Sequence, residues 1–128
     1  MTSRVKNRIL CIEPSSNGTQ QLLTKMLSVK YEVHTLCGKN SVLKAVQKDD
    51  YALYIVDEEQ LDTDGFELCR ELRKLDAHTP ILLYCSNVAR GKLRLVAQAG
   101  AQWCLSKPVD SYCLLSAASW LINSTAPC

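Results

Sequence analysis

The segment Ala52-Leu53-Tyr54-Ile55-Val56 is an unbroken apolar run that ends abruptly in Asp57. So short and uniformly apolar a stretch reads as a strand covered on both faces, and such strands belong to parallel sheets flanked by helices. Parallel neighbours need crossovers of a dozen or more residues, usually helical. The rest of the chain should therefore alternate similar runs with helix-forming segments, and it does. Ile9-Leu10-Cys11-Ile12, stopped by Glu13-Pro14, and Ile81-Leu82-Leu83-Tyr84-Cys85, preceded by Thr79-Pro80, have the same character. Residues 31–36 alternate polar with apolar types, which marks an edge strand. Residues 101–106, closed by Lys107-Pro108, supply the fifth.

Between these runs the period changes to that of a helix. Leu22, Leu23, Met26 and Leu27 follow the cap-forming Ser15-Ser16-Asn17-Gly18, and Val42, Leu43 and Val46 follow Asn40-Ser41 and run toward Asp49-Asp50. Phe66, Cys69, Leu72 and Leu75 stripe residues 66–75, with Asp64-Gly65 as turn and cap. Residues 88–98 form a fourth helix ended by Gly100. Residues 110–122 form a fifth, capped by Asp110, with Leu114, Leu115, Ala118 and Leu121 inward. Five strands alternating with five helices select a doubly wound parallel α/β sheet with right-handed crossovers. With 128 residues, 47% of them hydrophobic, the chain has enough apolar material for one core on each face, and residues 1–128 read as a single domain.

Several function classes fall away. A formal charge of +2 leaves no footprint for nucleic acid or an anionic membrane. After the basic opening, only Ile9 to Ile12 are apolar before Glu13, far short of a secretory core or a spanning helix. A cytoplasmic location is the expectation. The seven cysteines, Cys11, Cys37, Cys69, Cys85, Cys104, Cys113 and Cys128, form no CxxC-type pair and read as small hydrophobes in a reducing compartment, with Cys128 the most plausible reactive thiol. His34 and His78 stand away from the strand ends, so no nucleophile–base pair points to an enzyme.

In open α/β sheets, chemistry gathers at the carboxyl ends of the strands. There the chain places Glu13, Asp57, Cys85-Ser86 and Lys107-Pro108. Two carboxylates and an ammonium on one edge are costly if dry and unpaired, and such clusters mark functional sites more often than structural ones.

The Tyr51–Val56 segment ending at Asp57, the Asp64-Gly65-Phe66-Glu67-Leu68 run, Thr79-Pro80-Ile81, the Ala99-Gly100-Ala101 turn and Lys107-Pro108 give a chain that resembles the response regulator receiver family from Ile9 to about Ile122. The resemblance implies the (βα)5 flavodoxin-like receiver fold with strand order 2-1-3-4-5. It also implies phosphotransfer. Asp57 would take a phosphoryl group from a sensor histidine kinase or phosphotransfer protein as a carboxylate nucleophile. Mg²⁺ would be held by Glu13, Asp57 and the backbone carbonyl of Glu59. Lys107 would contact the phosphoryl group. The face of helix four, strand five and helix five, with Arg90, Lys92, Arg94, Trp103 and Tyr112, would meet a downstream protein, and a homodimer stays open.

The chain departs from the family at four places. Pro14 stands where a second acidic ligand is expected, which should weaken Mg²⁺ binding. Cys85 stands at the switch hydroxyl position, with Ser86 next but of opposite strand parity. Cys104 matches the reporter aromatic, Trp103 being out of phase, and Leu61 replaces a loop proline. Two readings follow: a stand-alone phosphoacceptor receiver, since no output segment follows Cys128, or a phosphorylation-independent pseudo-receiver that binds proteins. A flavin carrier using the Ser15–Thr19 loop is a third reading, disfavoured because no loop for the ring system is evident.

Overall fold

Alternating side chains of the central strands divide between two apolar layers in a computed structural model that describes residues 7–14, 22–60, 62–86 and 90–124. The elements run β1 (Arg8–Ile12), α1 (Leu22–Leu27), β2 (Glu32–Leu36), α2 (Lys39–Lys48), β3 (Leu53–Asp57), α3 (Gly65–Leu75), β4 (Ile81–Cys85), α4 (Arg90–Gln98), β5 (Trp103–Ser106) and α5 (Ser111–Ser124). All strand pairs are parallel and the order is β2-β1-β3-β4-β5, the doubly wound sheet expected. Leu10, Ile12, Tyr54, Val56, Ile81 and Leu83 pack on one face with Val42, Leu68, Leu72 and Val96. Ile9, Cys11, Leu53, Ile55 and Leu82 pack on the other with Leu23, Leu27, Leu114, Ala118 and Leu121. Period-two alternation thus assigns α2, α3 and α4 to one side and α1 and α5 to the other.

Several boundaries differ from the sequence expectation. Helix α2 starts at Lys39, with Gly38 at φ 94° as its cap and no side-chain cap bond, so Asn40 and Ser41 lie inside the helix. Its first free amide is met from a distance instead: Lys39 N–H donates to Asp62 Oδ2 at 3.1 Å. Strand β5 starts at Trp103, because Ala101 N–H is still bonded to the Val96 carbonyl at the end of α4. On α3, Leu68 is buried and Leu75 exposed, since the ninth residue after Phe66 has rotated off the buried stripe. The Asp64 and Asp110 caps form as expected, accepting from Glu67 N–H and Cys113 N–H at 2.8 Å each. The expected Ser15–Gly18 cap, Leu61, Val88 and Cys128 lie outside the described residues.

Candidate functional site

The register keeps the carboxyl ends of the inner strands in step, with Ile12 beside Val56, Asp57 beside Tyr84 and Cys85 beside Ser106. Glu13, Asp57, Ser86 and Lys107 therefore emerge along one edge. Lys107 Nζ donates to Asp57 Oδ1 at 2.8 Å, and the Glu59 N–H donates to the same oxygen at 2.9 Å. Among the described residues nothing donates to Asp57 Oδ2. Burial works against the charge of Lys107, but the hydrogen bond and charge of Asp57 outweigh it and raise its pKa. The ammonium also lies 5.1 Å from the Tyr84 ring centroid and 3.9 Å from Glu59 Oε1. The Lys107–Pro108 peptide bond is cis.

Glu13 is 3% exposed, and its Oε2 is buried with no hydrogen-bond partner. Burial first, and the charge of Asp57 second, push its pKa up to about 7, while Lys107 pulls against both. The three groups singled out from the sequence thus share one electrostatic environment. An orphaned, buried carboxylate oxygen beside a second carboxylate is a hard donor set of the kind Mg²⁺ takes, since that ion keeps several waters and needs only one or two carboxylates. No third His, Cys, Asp or Glu side chain completes a protein-only metal site among the described residues.

Pro14 contributes no ligand atom. Cys85 is buried, and burial pushes its thiol up to about 11, so it stays a neutral, weak donor. Ser86 lies just past the end of β4 and is exposed. Cys104 is buried in the α4-side layer, and Trp103 points away, 53% exposed. Cys11 and Cys69 are buried as well, whereas Cys113 is exposed. His34 is half-buried between the Tyr51 hydroxyl and Glu32 rather than freely solvated, and His78 is exposed.

Two residues gain importance that the sequence did not suggest, and the turn residue Gly65 gains a second role. Gln60 Nε2 donates to the carbonyls of Asp57 at 2.8 Å and Ile12 at 3.3 Å, which ties the ends of β3 and β1 together. Glu58 accepts from Lys92 Nζ at 2.6 Å and from Ser86 N–H at 3.3 Å. The Glu58-Glu59 doublet directly after a buried strand was the one available signal. Gly65 packs its backbone under the site: a Cβ there would lie 2.6 Å from the Asp57 carbonyl oxygen. Glu58, Glu59, Gln60, Asp64, Ser86 and Lys92 are among the residues lining an open cleft of about 680 Å³ beside Asp57.

Fold and site together define a doubly wound α/β domain with an acidic, lysine-clamped pocket at the carboxyl edge of its sheet. The chain belongs to the response regulator receiver domain family, whose model matches residues 9–119. It is 27% identical over 128 residues to the sensory/regulatory protein RpfC of Xanthomonas campestris pv. campestris, covering 96% of this chain and 18% of that protein. It is 27% identical over 111 residues to the response regulator PleD of Caulobacter vibrioides, covering 85% and 24%. The chain thus spans under a quarter of the length of these relatives. Among solved structures, chemotaxis protein CheY4 of Vibrio cholerae matches with a TM-score of 0.81 at 25% identity, covering 89% and 97% of the two chains. The BeF3-activated receiver domain of DrrB, a Thermotoga maritima protein, matches with 0.79 at 17%, covering 91% and 97%. Receiver domains are signalling modules of two-component systems, work with histidine kinases or phosphotransfer proteins, and bind Mg²⁺ at their acidic pocket. No described helix is long and apolar enough to cross a membrane.

Proposed function

We propose that residues 1–128 act as one cytoplasmic receiver unit in which Asp57 accepts a phosphoryl group from a sensor histidine kinase or phosphotransfer protein. The observation that carries this is the clamp on Asp57: one carboxylate oxygen is held by Lys107 and the Glu59 amide, which leaves Oδ2 to attack. Oδ2 forms the new O–P bond of an acyl phosphate while the P–N bond of the phosphohistidine breaks and its electron pair returns to the imidazole. The Lys107 ammonium stays on the anionic side of the reaction and offsets charge carried onto the carboxylate. Bound through Glu13, Asp57 and the Glu59 carbonyl, Mg²⁺ would supply positive charge against the phosphoryl oxygens. With Pro14 in place of a second acid, that ion is held weakly.

Output goes to a protein partner. The exposed Leu93, Leu95, Trp103, Tyr112 and Trp120 on α4, β5 and α5, with the Trp103 and Trp120 rings 6.4 Å apart, support that face as the docking surface. Exposed aromatics are typical of interface centres. A second reading, a pseudo-receiver that binds partners without phosphate, is favoured by the neutral thiol of Cys85 and by Pro14. Amide spectra with Mg²⁺ and beryllofluoride, an acyl-phosphate mimic, separate the two. Wild type should shift and Asp57→Asn should not. If no shift depends on Asp57, the acceptor reading falls and the pseudo-receiver stands.

A further inference from the structure

The positions that would carry a signal away from Asp57 in the family hold two buried thiols here, yet α4 is not uncoupled from the acceptor strand. Glu58, the residue after Asp57, receives Lys92 of α4 at 2.6 Å, with both side chains less than a quarter exposed. The other Glu58 oxygen receives the Ser86 amide at the start of the β4–α4 connection. Lys92 also lies 5.9 Å from the centroid of the Phe66 ring on α3, which restricts where its ammonium can move. Cys85 lies within electrostatic reach of Glu58, Cys104, Lys92 and Asp57, and Cys104 within reach of Lys92. The ion pair thus shares one electrostatic environment with the acceptor and the two thiols. Among the described residues it is the one salt bridge that joins the carboxyl edge of the sheet to α4.

We propose that the Glu58–Lys92 ion pair is the element through which charge added at Asp57 reaches helix α4. The inference rests on the acceptor reading and adds the route of its regulation. A phosphoryl group on Asp57 carries close to two negative charges and replaces the single charge of the carboxylate, so about one further negative charge arises beside Glu58. Its field repels the Glu58 carboxylate and attracts the Lys92 ammonium, so both changes act to open the same 2.6 Å contact. In a half-buried cleft such charges are screened far less than on an open surface. Opening releases the Ser86 amide and Lys92, in the first turn of α4, together, because Glu58 holds both. No hydroxyl at residue 85 and no aromatic at residue 104 is needed.

The test is amide spectroscopy of the intact chain with Mg²⁺ and beryllofluoride, comparing wild type with Lys92→Met and Lys92→Arg. In wild type, shifts should appear near Asp57, at Ser86 and along residues 91–98. In Lys92→Met the shifts near Asp57 should persist while those along α4 are lost, and Lys92→Arg, which keeps the charge, should restore them. Undiminished α4 shifts in Lys92→Met overturn the coupling and leave Asp57 as acceptor. No Asp57-dependent shift in wild type overturns both. Unchanged dispersion of the core amides, such as those of Leu53 and Leu82, confirms that each variant is folded.

Discussion

Replacing Glu13 by glutamine should stabilise the metal-free protein at pH 8 and do little at pH 5. The carboxyl is moved from an ordinary 4.5 to about 7, chiefly by burial and then by Asp57. At 1.36 kcal/mol per unit of pKa, ionising it in the folded state costs about 3 kcal/mol at most, which relaxation of the surroundings around the charge reduces to about 2 kcal/mol. The sign follows from proton counting. Between 4.5 and 7 the folded chain still holds a proton that the unfolded chain has released, so stability falls as pH rises through that window and is level above it. The isosteric amide never ionises and escapes the penalty. With a urea slope of about 2 kcal/mol/M, the midpoint of Glu13→Gln should exceed that of wild type by about 1 M at pH 8. The difference should shrink toward zero at pH 5. Fluorescence of Trp103 and Trp120 reports the transition, with a chelator present. An equal gap at both pH values, or a less stable variant at pH 8, would refute the claim that Glu13 is held at a cost.

Other perturbations test the same pocket and its frame. Pro14→Asp should tighten Mg²⁺ binding about tenfold in calorimetry by adding a carboxylate, and should lower stability in metal-free buffer by adding a third anion. Gly65→Ala forces a Cβ to within 2.6 Å of the Asp57 carbonyl oxygen and 2.7 Å of Glu58 Cα, both backbone atoms. It should cost roughly 1–3 kcal/mol in urea unfolding and weaken the beryllofluoride response. At the opposite end of the sheet, burial favours a neutral Asp76, but hydrogen bonds from Thr79, Tyr54 and His78 hold its carboxyl down at about 2. That stability is present above the ordinary 3.8 and is lost as pH falls through about 2. Asp76→Asn should therefore cost about 1–2 kcal/mol at pH 7, and the gap to wild type, followed by urea unfolding, should narrow between pH 4 and pH 2.

The sheet was legible because β1, β3 and β4 are covered on both faces, so their residues are apolar whatever their parity. The pocket was legible because a parallel sheet sends every carboxyl end to one edge. Chain order alone then brings Glu13, Asp57 and Lys107 together. What escaped the sequence depends on side chains reaching sideways. Nothing in the Asn40-Ser41 pair reveals that α2 already begins at Lys39 behind a Gly38 cap, with Asp62 meeting its free amide. The Gln60 bridge and the Glu58–Lys92 pair join residues whose spacing, 34 positions for the latter, carries no periodic signal. Leu75 was misplaced because a stripe read in steps of three drifts off a helix of 3.6 residues per turn.

The energetics of the retained and replaced residues point the same way. Pro14, Cys85 and Cys104 cost little to keep: none carries a charge, and the two thiols pack as small hydrophobes. Glu13 is the opposite. It is buried, leaves one oxygen without a partner, and faces a second carboxylate. A pocket with no cation or phosphoryl group to handle would gain stability by losing Glu13 before any other residue, and would have little use for a lysine clamped onto Asp57. On the proposed acceptor reading, the charged groups that phosphotransfer and metal binding would use are present at a cost, whereas the changes fall on neutral positions. That asymmetry favours the proposed acceptor over a scaffold that has stopped accepting phosphate, and the beryllofluoride response of the Glu58–Lys92 contact is where the two readings diverge.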